Sequence, residues 1–397
     1  MSIQTKKYKS KKTGKESVRY YAVVFDKETD KLIWSSGFKT QREAKREENR
    51  LLEELEQGTH VDSKKLFSAI ADEWKEAKRS TYANSTFKGY EWYLDKYLNP
   101  VFGDKKMSDI KPIHVQKFIT AMNDRYSSET VNKCLNLLSV ICKFAVDMRL
   151  GIKENPCQNI SRSKVSNTKH TTWSEDEIVY FLSLPNVRQS KYYDMLILSF
   201  TLGIRPSEIC GISETDVMQN GILCLNRGYD RYGSTSDLKT ESSHRSLELS
   251  ELLLKLVNKR FTYKKKIRLM NQTDSRFQSN DFLFTDEYGA PMNPNNYSKA
   301  FKKLLRTHNH QMEQLEKLLG VLPPDHRKLP DIRLYDARHS FATNNIMYNR
   351  ASVKVISEIM GHSTVKTTLH NYTQVAQSMS KKTISDYSDK LLGKVSL

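Results

Sequence analysis

The sequence predicts a multidomain chain: a small α+β N-terminal module built from a three-stranded sheet plus helix, an all-α module, and a mixed, mainly-α module with a small antiparallel sheet. Three observations carry this prediction. β-Branched and aromatic runs bounded by turn residues cluster near the N-terminus and again between residues 221 and 249. Elsewhere apolar residues recur at helical spacing. Two polar stretches poor in apolar residues, 58–63 and 155–170, separate the periodic segments as linkers do. The modules therefore span 1–60, 61–165 and 171–397.

Composition bounds the function. At 397 residues the chain is long enough for two or three domains. A formal net charge of +18 favours a polyanionic partner, a bias shared by nucleic-acid-binding, ribosomal and membrane-surface proteins. The 10% aromatic content argues for a folded chain rather than a basic disordered one. Five cysteines (Cys134, Cys142, Cys157, Cys210, Cys224) lack any C-x-x-C pair and read as reduced structural thiols of a cytoplasmic protein. No apolar leader segment and no run of eighteen apolar residues is present, so neither secretion nor membrane insertion is expected.

In chain order, residues 6–15 are basic or turn-forming, S-V-R-Y-Y-A-V-V-F (17–25) reads as a strand, D-K-E-T-D-K as a turn, and L-I-W-S-S-G-F (32–38) as a partner strand. Thr40 followed by Glu43 is a capping-box pattern that opens a helix over 41–57. Tyr20, Tyr21 and Trp34 either enter a DNA groove from a basic ribbon or form this module's small core. In the second module Phe67, Ile70, Ala71 and Trp74 mark a helix over 65–78. Phe87, Tyr90, Tyr93, Leu94 and Tyr97 mark another, which starts at Ser85-Thr86 and stops near Asn99-Pro100 before a loop over 101–109. Pro112 opens a helix to about Met122, and 128–148 forms a longer one.

The third module opens with W-S-E-D-E-I, in which Ser174 and Glu177 make a capping box. An apolar helix over 191–202 ends at Gly203, and I-R-P-S-E-I-C-G-I follows with Pro206 at the first helical position. A strand covers 221–227, and L-K-T-E-S-S-H-R-S-L-E-L (238–249) reads as a hairpin turning at E-S-S-H, with Lys239 at its shoulder. A short apolar stretch at 281–284, a turn at E-Y-G-A-P, a helix over 295–306 and a polar, loop-rich segment over 307–330 come next. His308 and His310 are too isolated to form a metal site. Asp336 then caps a helix holding Arg338, Ser352 caps another that stops at Gly361, and 364–371 forms a last short helix leading to Tyr372.

Arg205 and Arg338 thus stand at helix starts, where unpaired N–H groups and the helix dipole favour an anion, with Glu208 placed to orient Arg205. Taken singly, Arg205 also fits a structural ion pair and Lys239 an ordinary edge-strand lysine. Taken with His362 and Tyr372, they suit phosphoryl transfer without metal or other cofactor. A phenol with a reference pKa of about 10 is ionised in roughly one molecule in a thousand at neutral pH, a deficit of about 4 kcal/mol. Two fixed guanidinium groups offset part of that deficit and brace a pentacoordinate phosphorus, each such donor contributing about 3 kcal/mol. A mobile Lys239 would protonate the leaving 5′ oxygen.

Together G-I-R-P-S-E-I, L-K-T-E-S-S-H-R-S-L, A-R-H-S-F-A-T and M-G-H-S…T-T-L-H-N-Y resemble, in order, the boxes of the tyrosine recombinase (phage integrase) family. The resemblance implies an integrase of a temperate phage or integrative conjugative element, with an arm-site binding domain, a helical SAM-like core-binding domain and a catalytic domain. It implies that Tyr372 attacks the scissile phosphate to give a 3′-phosphotyrosyl link, that Arg205 and Arg338 bind the phosphate, that Lys239 is the general acid, and that His362 hydrogen-bonds a nonbridging oxygen. Where the family has histidine, three residues before the second arginine, this chain has Tyr335, and His339 beside it reads as a structural partner. The resemblance further implies four protomers around two DNA duplexes, a tail over 373–397 that docks on a neighbour or on its own domain, an excision factor, a host DNA-bending protein, and a cytoplasmic, nucleoid-associated location. Tyr387 is an alternative nucleophile without the G-H-S spacing. A type IB-like topoisomerase and a non-catalytic DNA-binding regulator are the competing readings.

Overall fold

A computed structural model describes residues 2–9, 16–26, 30–56, 65–165, 171–237 and 241–364. The chain divides into two compact units, Met1–Ser166 and Asn167–Leu397.

The first unit begins with strands β1 (Ser2–Lys9), β2 (Glu16–Asp26) and β3 (Lys31–Trp34), joined antiparallel in the order β1-β2-β3, followed by helix α1 (Gln41–Glu56). The Thr40–Glu43 capping box forms in both directions, at 3.2 and 3.3 Å. Alternation along β2 turns Ala22 and Val24 toward Leu51 of α1, and these three residues make the buried core. Tyr20 shares the face of Ala22 and Val24 by the same alternation but is not part of that core. Tyr21 and Trp34 face away from α1, and Lys6 Nζ lies 4.7 Å over the Trp34 ring and 5.6 Å over Tyr21. Phe25 and Leu32 are exposed on the same face.

Four longer helical segments follow: α2 (Phe67–Lys78), α3 (Asn84–Tyr93) running into the short α4 (Asn99–Phe102), α5 (Pro112–Asn123) and α6 (Ser128–Asp147). They enclose a core that includes Phe67, Trp74, Phe102 and Leu138. The sequence predicts a helix stop near Pro100, but the chain stays helical to Phe102. Proline removes one amide donor, and the turn before it, Leu94–Leu98, widens to π-helical spacing, with the Asn99 amide reaching back to the Leu94 carbonyl.

The second unit contains α7 (Glu175–Ser183), α8 (Pro185–Arg188), α9 (Tyr193–Leu202) and α10 (Pro206–Gly211), then β4 (Ile222–Leu225), β5 (Arg227–Tyr229), β6 (Thr235–Asp237) and β7 (Arg245–Glu248), and finally α11 (Glu251–Met270), α12 (Pro294–Leu319), α13 (Asp336–Met347) and α14 (Val353–Met360). Trp173 ties its ends together. Fully buried, it stacks on Phe200 at 5.5 Å, its N–H groups donate to Ser340 Oγ and the Pro330 carbonyl at 2.9 Å each, and its carbonyl accepts from Asn344.

Two sequence expectations change here. The hairpin does not turn at E-S-S-H. β7 pairs with β4, β5 pairs with β6, and the tight turn is at Asp230–Ser234, where Gly233 has a φ of 84°. Residues Glu241–Ser243 form a short 3₁₀ turn within the returning arm instead. The first part of the polar segment over 307–330 is helix, and only 320–330 is loop. α12 continues to Leu319 because Tyr297, Phe301, Leu305, His308 and Met312 form one buried stripe at helical spacing, while the polar residues cover its outer face. His308 Nε2 bonds the Arg327 carbonyl at 2.9 Å, which gives this histidine a structural place. Among the described residues no helix is long and apolar enough to cross a membrane.

Candidate active site

α9 ends at Gly203, whose φ of 61° is left-handed. A Cβ at this position would stand 2.5 Å from the Phe341 ring, so both backbone and space require glycine. Two residues later Arg205 is the N-cap of α10, followed by Pro206. Its backbone N–H donates to Glu208 Oε2 at 3.1 Å and its Nη1 to Glu208 Oε1 at 2.5 Å. Glu208 is 1% exposed, and its Oε2 also accepts from Arg245 Nη2 at 2.8 Å.

Arg338, on the first turn of α13, is likewise 1% exposed. Its Nη1 donates to the Gly203 carbonyl at 2.8 Å and its Nη2 to the Met360 carbonyl, while its buried Nε has no partner among the described residues. Burial, followed by repulsion from Arg205, pushes its pKa down to about 10. It remains a cation at neutral pH, and among the described residues no carboxylate pairs with it directly.

α14 is capped by Ser352 Oγ and ends at Gly361, with a φ of 64°. Its last two carbonyls and that of the capping Gly361 each accept from an arginine on a different element. Arg245 Nε donates to the Ile359 carbonyl at 2.5 Å, Arg338 to that of Met360, and Arg205 Nη2 to that of Gly361 at 3.2 Å. A helix C-terminus carries partial negative charge, which favours this convergence of cations. His362 follows directly, half-buried, with its N–H on the Ser357 carbonyl at 3.0 Å. Burial first, then Arg338 and Arg205, lowers its pKa to about 4, so its imidazole is neutral at physiological pH.

Tyr335 is 41% exposed and meets His339 edge-on at 5.6 Å between ring centroids. Burial works against the Arg205 cation, but Glu208 and then the Tyr335 phenol outweigh it and raise the Arg205 pKa. His339 itself is buried. The described site therefore brings together Arg205, Glu208, Tyr335, Arg338, His339 and His362. Lys239 and Tyr372 lie outside the described residues, as do the tail and residues 365–371 of the expected last helix.

Two sequence readings need correction. Asp336 does not cap α13. Tyr335 holds the N-cap position, and the Asp336 carboxylate folds back to accept the Arg333 N–H at 2.8 Å and pair with its guanidinium. Nor does α13 offer open amides to an anion, because the N–H groups of Asp336, Ala337 and Arg338 donate to the carbonyls of Arg333, Leu334 and Tyr335. The positive charge here is carried by guanidinium groups. Arg245 escaped the sequence reading, although the alternation R-S-L-E-L puts it on the inward side with Leu247, an unusual place for an arginine.

The His362 environment has a pH consequence. Its folded pKa lies below the unfolded value of about 6.5, so the unfolded chain takes up the proton first as pH falls, and stability is lost between about 6.5 and 4. Histidine side-chain NMR is expected to show a neutral His362 ring from pH 8 to about 5. A midpoint near 6.5 contradicts the geometry given above.

The phage integrase family pattern matches residues 172–379, more than half of the chain. The chain belongs to the phage integrase family. A second match, to the N-terminal SAM-like domain of phage integrases, covers residues 66–123. This integrase is similar to a tyrosine recombinase XerC-like protein of Caldanaerobacter subterraneus subsp. tengcongensis, 23% identical over 409 residues that span 95% of this chain and 97% of that protein. Among solved structures it resembles the Tn1549 transposon integrase in complex with transposon right end DNA, at 18% identity and a TM-score of 0.62, covering 80% of this chain and 99% of that one. It also resembles a lambda integrase tetramer bound to a Holliday junction, at 14% identity and a TM-score of 0.57, covering 89% and 92%. These structural likenesses establish the fold. Family membership makes the integrase a site-specific DNA recombination enzyme of mobile elements.

Proposed function

We propose that this integrase cleaves and rejoins double-stranded DNA through a 3′-phosphotyrosyl intermediate on Tyr372, and so integrates and excises a mobile element. The observation that carries the reading is the convergence of Arg205 and Arg338 on one helix end beside a neutral His362. Two cations held on carbonyls suit the nonbridging oxygens of a phosphodiester, and the neutral imidazole adds a hydrogen bond.

In the cleavage step the Tyr372 oxygen forms a bond to phosphorus and the bond from phosphorus to the 5′ oxygen breaks. The phenol gives up its proton to solvent water, and the departing 5′ oxygen takes one from the Lys239 ammonium, which solvent then reprotonates. Rejoining reverses the sequence with a 5′ hydroxyl of a partner strand. Tyr335, held at Arg205, contributes a hydroxyl hydrogen bond to the phosphate. Glu208 and His339 orient the groups beside them. The carboxylate of the cluster, Glu208, is already shared by two arginines, and the donor set is therefore suited to an anion rather than to a metal cation.

The same reading gives the modules their tasks: arm-site binding by residues 1–60, core-site binding by 61–165, and chemistry by 171–397. Lys6, Arg19, Tyr21 and Trp34 on the open face of the N-terminal sheet support the first of these. Four protomers act on two duplexes, in keeping with the lambda integrase tetramer, and the tail over 373–397 docks on a neighbour. An excision factor and a host DNA-bending protein complete the assembly.

A DNA suicide substrate, nicked close to the cleavage site, tests the reading. An SDS-stable adduct is expected to form in EDTA and to be absent in Tyr372→Phe. If the wild type forms none, or if the mutant retains it, the reading is wrong. Relaxation of plasmids lacking an attachment site would instead favour the topoisomerase alternative.

A further inference from the structure

We propose that Arg245 is a positioning residue for strand cleavage: by sharing the carboxylate of Glu208, it leaves Arg205 with positive charge to offer the scissile phosphate. The inference rests on the phosphotyrosyl reading above.

The geometry is specific. Arg245 lies on β7 with its side chain 7% exposed, and it makes three directional bonds: Nη2 to Glu208 Oε2 at 2.8 Å, Nε to the Ile359 carbonyl at 2.5 Å, and Nη1 to the Ser243 carbonyl at 3.0 Å. The opposite oxygen of Glu208 holds Arg205 Nη1 at 2.5 Å. A buried carboxylate facing one guanidinium would form a closed, neutral pair, and a neutral pair attracts an anion weakly. With two guanidinium groups on one carboxylate the trio keeps a net positive charge, and the half-buried Arg205 is the member placed to present it.

Arg245 also ties together three parts of the site. It holds the second arm of the hairpin, the first-arginine box through Glu208, and the C-terminus of α14 just before His362. Gly361 keeps room for it, since a Cβ there would stand 3.0 Å from Arg245 Nη1 and 3.1 Å from the Ser242 carbonyl. A side chain that only filled space would not need this pattern of donors.

The test compares Arg245→Gln and Arg245→Lys with wild type in single-turnover cleavage at saturating suicide DNA. Two substrates are used: the ordinary phosphodiester, and one with a scissile methylphosphonate, in which a methyl group replaces a nonbridging oxygen and removes the anionic charge. DNA affinity is measured in parallel by gel shift. On the phosphodiester, Arg245→Gln is expected to cleave about 100-fold slower, the size of losing one transition-state donor, with affinity changed less than about threefold. Arg245→Lys, which keeps the charge, recovers part of the rate. On the methylphosphonate the Arg245→Gln deficit shrinks to within about tenfold, because the missing charge no longer matters there. Wild-type rates in Arg245→Gln, or an equal deficit on both substrates, overturn the proposal in favour of a packing role. Failure of wild type itself to form any adduct overturns the phosphotyrosyl reading instead.

Discussion

Arg338→Met is expected to cleave DNA at least about 10³-fold more slowly than wild type while binding it within about tenfold. The guanidinium of Arg338 is buried, close to Arg205, and anchored to the carbonyls of Gly203 and Met360 with no carboxylate paired to it among the described residues, so its charge is underbalanced there. A fixed, underbalanced cation is costly to keep and valuable once a phosphate arrives, because no reorganisation is then needed. The same residue should make the catalytic unit sensitive to small anions. Inorganic phosphate at tenfold over its Kd stabilises by about 1.4 kcal/mol, which raises Tm by roughly 3–6 °C for a unit of this size. That rise is expected in wild type and not in Arg338→Met, and thermal scans with and without phosphate check it. An unchanged cleavage rate in Arg338→Met would remove Arg338 from the site.

Glu208→Gln has the second largest expected effect, this time on stability. Glu208 is the buried carboxylate between Arg205 and Arg245, and neutralising it leaves two guanidinium groups in the interior without their counter-charge. Breaking one side of a buried pair typically costs about 3–5 kcal/mol. Scanning calorimetry is expected to show the catalytic unit melting roughly 10 °C lower, at about 2–4 °C per kcal/mol. Burial raises the Glu208 pKa, but Arg245 and Arg205 outweigh it, so the folded value lies below the unfolded one. Its stabilisation is therefore complete above pH of about 4.5 and is lost as pH falls through the folded pKa, an acid-side loss that Glu208→Gln should not show. A melting temperature within about 2 °C of wild type would contradict this account.

Much of the architecture is legible in local patterns. The Thr40–Glu43 and Ser174–Glu177 boxes, the glycine stops at Gly203 and Gly361, and the Ser352 cap are set by residues within a few positions of one another. What local pattern misleads on is settled by tertiary burial. α12 looks polar beyond residue 306 because its charged face outnumbers the stripe that it buries. The pairing of β7 with β4 depends on partners at least twenty residues away, whereas the E-S-S-H turn seemed sufficient nearby. The site shows the same division. Arg205 and Arg338 are found by their boxes, but the α14 carbonyls that hold them, and Arg245 as the third arginine, emerge only when α10, β7, α13 and α14 are brought together.

The most direct test is to locate the DNA on the protein. A covalent adduct formed with suicide DNA, digested with nuclease and trypsin, would carry its phosphate on one of three separable peptides. These are residues 367–381 with Tyr372, 383–390 with Tyr387, or 334–338 with Tyr335. Phosphotyrosine is expected at Tyr372 alone. Phosphate on Tyr335 or Tyr387 would contradict it.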